Sequence, residues 1–132
     1  MLQSSGSFSQ AVLMLDKLEQ ILIDVARKCG TITYRELAQR LGLQPPHTIR
    51  QLTEALEHLM AEDAAAARPF IAAMVISKAR GGLPAPGFFD CARRLGRFAG
   101  DEAGLETWAF HAREFNAAVA FWAATATTSK SG

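Results

Sequence analysis

The sequence predicts a mainly α-helical domain, and three observations support this prediction. Long segments near both ends repeat apolar residues at spacings of three and four, the period of an α-helix. Between residues 31 and 60, one amphipathic helix, a glycine turn and a second helix follow one another. Only short segments, at residues 31–33 and 70–77, have the composition of β-strands. We expect one domain over residues 9–124, with disordered ends at 1–8 and 125–132.

The segment 31–60 carries the strongest local signals. Thr33 suits the N-cap of a helix, because its side chain can accept the N–H of Glu36 while the Glu36 carboxylate reaches back. Gly42 suits the left-handed position that ends this helix, and the prolines at 45–46 allow a new helix to begin. These signals predict a helix-turn-helix. The second helix has a predicted buried stripe formed by Ile49, Leu52, Leu56, Leu59 and Met60.

Residues 70–87 predict a strand followed by a loop. Phe70–Ser77 is apolar and suits a buried strand, whereas residues 78–87 combine basic residues with the glycines and prolines of turns. A return strand could only be brief, near residues 87–89. Helix, turn, helix, strand and basic loop is the element order of a winged helix. The sequence therefore predicts a winged helix-turn-helix with a small β-wing and additional long N- and C-terminal helices.

Two long helices are expected to flank this unit. The first, from about Ser9 to Cys29, is apolar on more than one face and should be covered by neighbours. The last is expected over 102–124 and has a heptad stripe. The stripe can pack on the first helix, or it can form the seam of a homodimer. The candidate seam residues are Leu105, Trp108, Phe115, Val119 and Trp122.

The distribution of charge restricts any basic surface to the middle of the chain. A formal net charge of +1 gives no overall attraction to nucleic acid, but residues 69–100 hold five Lys or Arg and one Asp. Three of these cations either extend a basic strip or pair with acidic neighbours. The cations are Arg93, Arg94 and Arg97, and the acids are Asp90, Asp101 and Glu102.

Several classes of protein and site are not expected. The chain has no secretory signal and no apolar segment of membrane-spanning length, so we expect a cytoplasmic protein. Cys29 and Cys91 are expected to be buried free thiols. The histidines at 47, 58 and 111 lack metal-ligand spacing with these cysteines, and no nucleophile motif is present. We therefore expect no metal, no cofactor and no enzymatic activity.

Candidate nucleic-acid-binding residues lie in the helix-turn-helix and in the following loop. Arg50 and Gln51 suit bidentate contacts with base edges; alternatively they are solvated, or Arg50 pairs with Glu54. Lys78 and Arg80 could contact phosphates, or simply make the turn soluble. The remaining candidates are Tyr34, Arg35, His47 and Thr48.

Two motifs carry a resemblance to a known family: Thr33-Tyr34-Arg35-Glu36-Leu37-Ala38 and Pro46-His47-Thr48-Ile49-Arg50. With them, residues 31–82 resemble the DNA-binding domain of O6-alkylguanine-DNA alkyltransferases and their alkyltransferase-like relatives. The resemblance implies that Arg50 would enter the duplex in place of a flipped base and that Tyr34 would help to turn the nucleotide out.

The acceptor box of that family is missing from this chain. Where the family has Pro-Cys-His-Arg before its valines, this sequence has Ile71-Ala72-Ala73-Met74. Alkyl transfer needs an activated thiolate, so the resemblance supports the fold and argues against that activity. The segment 69–89, together with the aromatic last helix, also resembles small bacterial proteins, which implies nothing about function.

The leading functional prediction is non-catalytic DNA binding, for example by a transcriptional regulator. One alternative is a protein-interaction module that uses the winged-helix surface. The low net charge favours this alternative, as do the acids on the outer face of the second helix, which would repel phosphate: Glu54, Glu57, Glu62 and Asp63. The other alternative, a catalytically inactive lesion-sensing protein, depends on Tyr34 and Arg50.

Overall fold

The computed structural model describes residues 2–100 and 104–131, with side chains described for 12–100 and 104–124. The described chain is mainly helical, as the sequence predicts, with a small pair of strands. Its helices are α1 (Leu2–Arg27), α2 (Tyr34–Leu41), α3 (Thr48–Ala65), α4 (Pro86–Arg94) and α5 (Leu105–Ser131). Its strands are β1 (Ile32–Thr33) and β2 (Val75–Ile76), and two 3₁₀ turns span Ile71–Met74 and Lys78–Arg80.

The predicted signals around α2 are confirmed. The Thr33 hydroxyl accepts the Glu36 backbone N–H at 3.1 Å and caps the helix. Gly42 ends α2 with φ +70°, a conformation that only glycine adopts without steric cost. Four residues of the predicted α3 stripe are buried, namely Leu52, Leu56, Leu59 and Met60. Ile49 is 52% exposed, so its predicted burial is wrong: it lies in the first turn of α3, beyond the packed surface.

The predicted strand Phe70–Ser77 is wrong over most of its length. Only Val75–Ile76 is a strand, and it pairs in parallel with β1 in the register Ile32↔Val75 and Thr33↔Ile76. Residues 71–74 form a 3₁₀ turn instead. Side-chain carboxylates, rather than a neighbouring strand, accept the backbone N–H groups at the start of this turn.

The predicted β-wing over 78–87 is replaced by a compact turn. Lys78–Arg80 is a 3₁₀ turn, and the ladder is reduced to one antiparallel bridge between Ser77 and Leu83. Gly81 and Gly82, with φ of +71° and +102°, reverse the chain, and the start of a helix at Pro86 leaves no length for a return strand. Residues 87–89, the suggested return strand, belong to α4, which begins at Pro86.

Helix α5 packs on α1 and on the first 3₁₀ turn and contributes Phe110 and Ala118 to the core. Of the candidate seam residues, Phe115, Val119 and Trp122 pack partly buried against this same core. The other two, Leu105 and Trp108, are 84% and 49% exposed. Contacts within one chain therefore cover three of the five candidate seam residues.

The ends of the chain and one cysteine depart from expectation. Helix α1 begins at Leu2 and α5 continues to Ser131, so helix is present where the sequence indicates disorder. Met1 and Gly132 lie outside the described residues, as do Asp101 and Glu102. Cys91 is a buried free thiol as predicted, whereas Cys29 is a free thiol but exposed. The reason is that α1 ends at Arg27, which leaves Cys29 in a left-handed turn.

Candidate nucleic-acid interface

A groove of about 420 Å³ brings together the start of α2 and the residues after β2. Its lining residues are Thr33, Tyr34, Arg35, Ile76, Ser77 and Lys78. The strand register explains this proximity: Thr33 pairs with Ile76, so the chain enters α2 and leaves β2 side by side. Arg35 and Lys78 are both exposed, so two predicted nucleic-acid ligands line one groove.

Tyr34 is fixed in position between this groove and a second, smaller cavity. The Ala85 backbone N–H donates to its hydroxyl oxygen at 2.9 Å. Burial raises the pKa of the Tyr34 phenol above its usual value of 10.0, so the phenol is neutral at physiological pH. Because its ring lines both spaces, Tyr34 forms part of a shared wall.

Arg80 is not a free surface cation, in contrast to the prediction that pairs it with Lys78. Its side chain is half-buried, and its guanidinium carbon lies 6.0 Å from the centroid of the Phe89 ring. The Nη1 atom is buried without a hydrogen-bond partner among the described residues. Arg80 is not among the residues that line the groove. Of the two predicted phosphate ligands in the loop, only Lys78 therefore lies in position to act from this groove.

The start of α3 separates the two residues predicted to read bases. Gln51 Nε2 donates to the backbone carbonyl oxygens of Gln44 and Pro46, each at 3.1 Å. Gln51 thus holds the loop that precedes α3, and its assignment as a base-reading residue stays a prediction. Arg50 is exposed, and among the described residues no ion pair joins it to Glu54.

His47 and Thr48 lie at the N-terminal end of α3. His47 is its N-cap residue, with a left-handed backbone (φ +64°) and no capping hydrogen bond from its side chain. His47 is exposed and Thr48 is half-buried, and Arg50 follows within the same turn. These three residues therefore lie within the first turn of α3 or directly before it.

The basic residues in the last turn of α4 and just after it contact groups within the protein and do not line the groove. Arg94 lies 3.4 Å from Asp90 and 3.5 Å from Glu57, and Arg97 lies 3.4 Å from Glu114. Arg93 donates to the backbone carbonyl of Gly100 at 2.8 Å. The alternative in which these arginines pair with acidic groups is therefore supported by Asp90, with Glu57 and Glu114 as further partners.

A partly enclosed cavity of about 80 Å³ lies on the other side of Tyr34. Its lining residues are Tyr34, Thr53, Leu56, Glu57, Met60, Ala72, Ala85, Gly87 and Phe88. Ala72 occupies the place of the acceptor cysteine in the resemblance described above. Sequence reasoning missed this cavity, because its residues come from four separate segments and most are ordinary core types.

His111 makes a hydrogen bond within the protein, from α5 to the first 3₁₀ turn. His111 Nε2 donates to the backbone carbonyl of Ala73 at 2.8 Å, and burial lowers the pKa of the imidazole below 6.5. Within residues 2–100 and 104–131, no three His, Cys, Asp or Glu side chains are arranged to hold a metal ion. In the same residues, no helix combines the length and apolar character needed to cross a membrane.

Comparison with known proteins does not assign this chain to a family. No protein-family model matches the chain, and neither a curated protein nor a solved structure matches it.

Proposed function

We propose that this chain is a non-catalytic DNA-binding protein in which the groove beside α2 holds the phosphate backbone. The observation that carries the proposal is the placement of Arg35 and Lys78 in one groove by the pairing of β1 with β2. Two cations converge there from segments that are distant in sequence. A phosphodiester is the ligand that best matches such a groove.

The uncharged groups of the groove suit the same ligand. Thr33 and Ser77 contribute hydroxyl groups, and the groove adjoins the N-terminus of α2, where the helix dipole favours an anion. Glu36 lies in the first turn of α2 and opposes an anion, but it is not among the lining residues. Both charged residues that line the groove are therefore cations.

The exposed start of α3 completes the proposed interface. Arg50 has no ion-pair partner among the described residues, so its guanidinium can make a bidentate contact with a guanine in the major groove. Few cations take part and the net charge is only +1, so we expect weak binding with a shallow salt dependence. Transcriptional regulation is the role that this activity would serve.

The deciding experiment measures binding to a fluorescent random duplex by anisotropy at two salt concentrations. An Arg35→Ala/Lys78→Ala variant should bind more weakly. The magnitude of the negative slope of log K against log salt should fall by about two, one for each lost phosphate contact. Lys17→Ala/Lys28→Ala is the matched control, because it removes the same charge from exposed residues outside the groove. Equal losses in the two variants, or no binding by the wild type at low salt, would contradict the proposal.

A second candidate, a protein-interaction module, is favoured by one observation. Ile49 is 52% exposed in the first turn of α3, and the exposed acid Glu54 follows on the same helix. A helix that exposes both an apolar side chain and a carboxylate suits a protein surface better than phosphate. If the duplex does not bind, a pull-down that compares the wild type with Ile49→Ser tests this candidate.

The lesion-sensing alternative gains no support from the cavity beside Tyr34. At about 80 Å³ it has roughly half the volume of a cavity of ~150 Å³ that holds benzene. A flipped nucleobase is larger than benzene, so it would not fit without rearrangement. We therefore do not extend the proposal to base flipping.

A further inference from the structure

The cavity between α3 and α4 has an apolar floor and a polar rim. The floor is formed by the buried side chains of Leu56, Met60, Ala72 and Phe88. At the rim lies Glu57, whose side chain is 34% exposed, with Thr53 beside it. A ligand that fills this space would therefore need a hydrocarbon body and a polar head.

The two carboxylate oxygens of Glu57 have different surroundings. Oε1 lies 3.5 Å from Nη2 of Arg94, whose side chain is 58% exposed. Oε2 lies 3.9 Å from the point that a Cβ would occupy on Gly87, a residue of the cavity wall. Among the described residues Oε2 has no hydrogen-bond partner. This oxygen is thus free to accept a hydrogen bond from a ligand at the rim.

The volume of the cavity limits the hydrocarbon body. A cavity needs roughly 10–15 Å³ to hold one water, and a cavity of ~150 Å³ holds benzene. The cavity here, of about 80 Å³, therefore suits a group smaller than benzene. A branched four-carbon group meets this limit. Water is a poor occupant of the floor, because the four side chains there offer it no strong hydrogen-bonding group.

We propose that this cavity binds a short alkylammonium ion, with its hydrocarbon tail on the floor and its ammonium group at the Glu57 carboxylate. The arrangement of floor and rim decides the orientation. A lysine side chain from a partner protein would enter with its charge first and bury an unpaired ammonium among apolar groups, which is costly. A carboxylate ligand would be repelled by Glu57.

This proposal goes beyond the proposed function and does not require that the chain bind DNA. The test uses three probes of nearly equal shape in phosphate buffer without DNA: isobutylammonium, isobutanol and isobutyrate. Amide shifts of Gly87 and methyl shifts of Met60 in NMR spectra report on the rim and on the floor. Isobutylammonium should give saturable shifts at both and bind at least about tenfold more tightly than isobutanol, because its hydrogen bond is charge-assisted. Isobutyrate should not bind.

Variants separate the contribution of the head from that of the tail. Glu57→Gln should reduce the affinity for isobutylammonium to that for isobutanol, and Ala72→Leu should block both by filling the floor. Glu54→Gln is the control, because it removes one carboxylate from the exposed side of the same helix, outside the cavity. If Ala72→Leu fails to fold, the Glu57→Gln comparison still decides. Equal affinity for amine and alcohol, amine binding that survives Glu57→Gln, or an absence of saturable shifts would overturn the proposal.

Discussion

The buried carboxylate of Asp63 accepts the backbone N–H of Ile71 at 3.0 Å and determines how the chain leaves α3. The other oxygen of Asp63 lies 2.9 Å from Nε of Arg68, which belongs to the loop between Asp63 and Ile71. From α5, Glu114 accepts the neighbouring N–H of Phe70 at 3.0 Å. Two acids from different helices thus hold the 3₁₀ turn that supplies Ala72 to the cavity wall.

Removing the Asp63 carboxylate should strongly destabilise the fold. Asp63→Ala leaves the Ile71 N–H buried without an acceptor and Arg68 without its partner. We expect a loss of about 3 kcal/mol in the free energy of unfolding, allowing for the partial exposure of Arg68. Urea unfolding measures this loss. Glu62→Ala is the control, because Glu62 pairs with the exposed His58 and should contribute less than about 1 kcal/mol. Similar losses in both variants would contradict this role of Asp63.

Acid should weaken the contact between α5 and the 3₁₀ turn through His111. Its pKa in the folded protein lies below the ordinary value of 6.5, so the unfolded state binds the proton more readily. The contribution of His111 to stability is therefore complete above pH 6.5 and is lost as pH falls toward the folded pKa. An NMR titration of the imidazole should give a midpoint below 6.5, and the urea midpoint should fall less in His111→Gln than in wild type between pH 7.5 and 5.5. A midpoint at or above 6.5 would contradict this prediction.

The stripe on α5 should stabilise the single chain. Phe115 packs against the core, so Phe115→Ala should lower the free energy of unfolding by about 2–3 kcal/mol. This loss should be the same at low and high protein concentration, because the contact lies within one chain. Trp108→Ala removes a half-exposed aromatic from the same helix and should change stability much less. Unfolding midpoints that rise with protein concentration would instead support the homodimer seam.

Local signals predict the α2 region well, because the groups involved are close in sequence. Thr33 caps the helix that it begins, and Gly42 ends it, as their positions indicate. The apolar period likewise predicts four buried residues of α3. The same period fails for Ile49 and Leu105, since it gives the face of a helix but not the end of the surface that covers it.

The 3₁₀ turn and the cavity depend on contacts that no local pattern records. Phe70–Ser77 has the composition of a strand, yet Asp63 and Glu114 accept the backbone N–H groups at its start. The groove is partly predictable, because Tyr34, Arg35 and Lys78 are recognisable as candidates. Their proximity follows from the register of two short strands, which the sequence leaves open.

Arg50 and Gln51 should affect DNA binding by different routes. A preferred duplex is first selected from a random pool. Arg50→Ala should then reduce the difference in binding free energy between this duplex and a random duplex by about 1–3 kcal/mol. Stability should change by less than about 0.5 kcal/mol, because the side chain is exposed. Gln51→Ala should instead lower the urea midpoint, since it removes both hydrogen bonds to the loop before α3. Loss of sequence preference in Gln51→Ala at unchanged stability would instead support Gln51 as a base-reading residue.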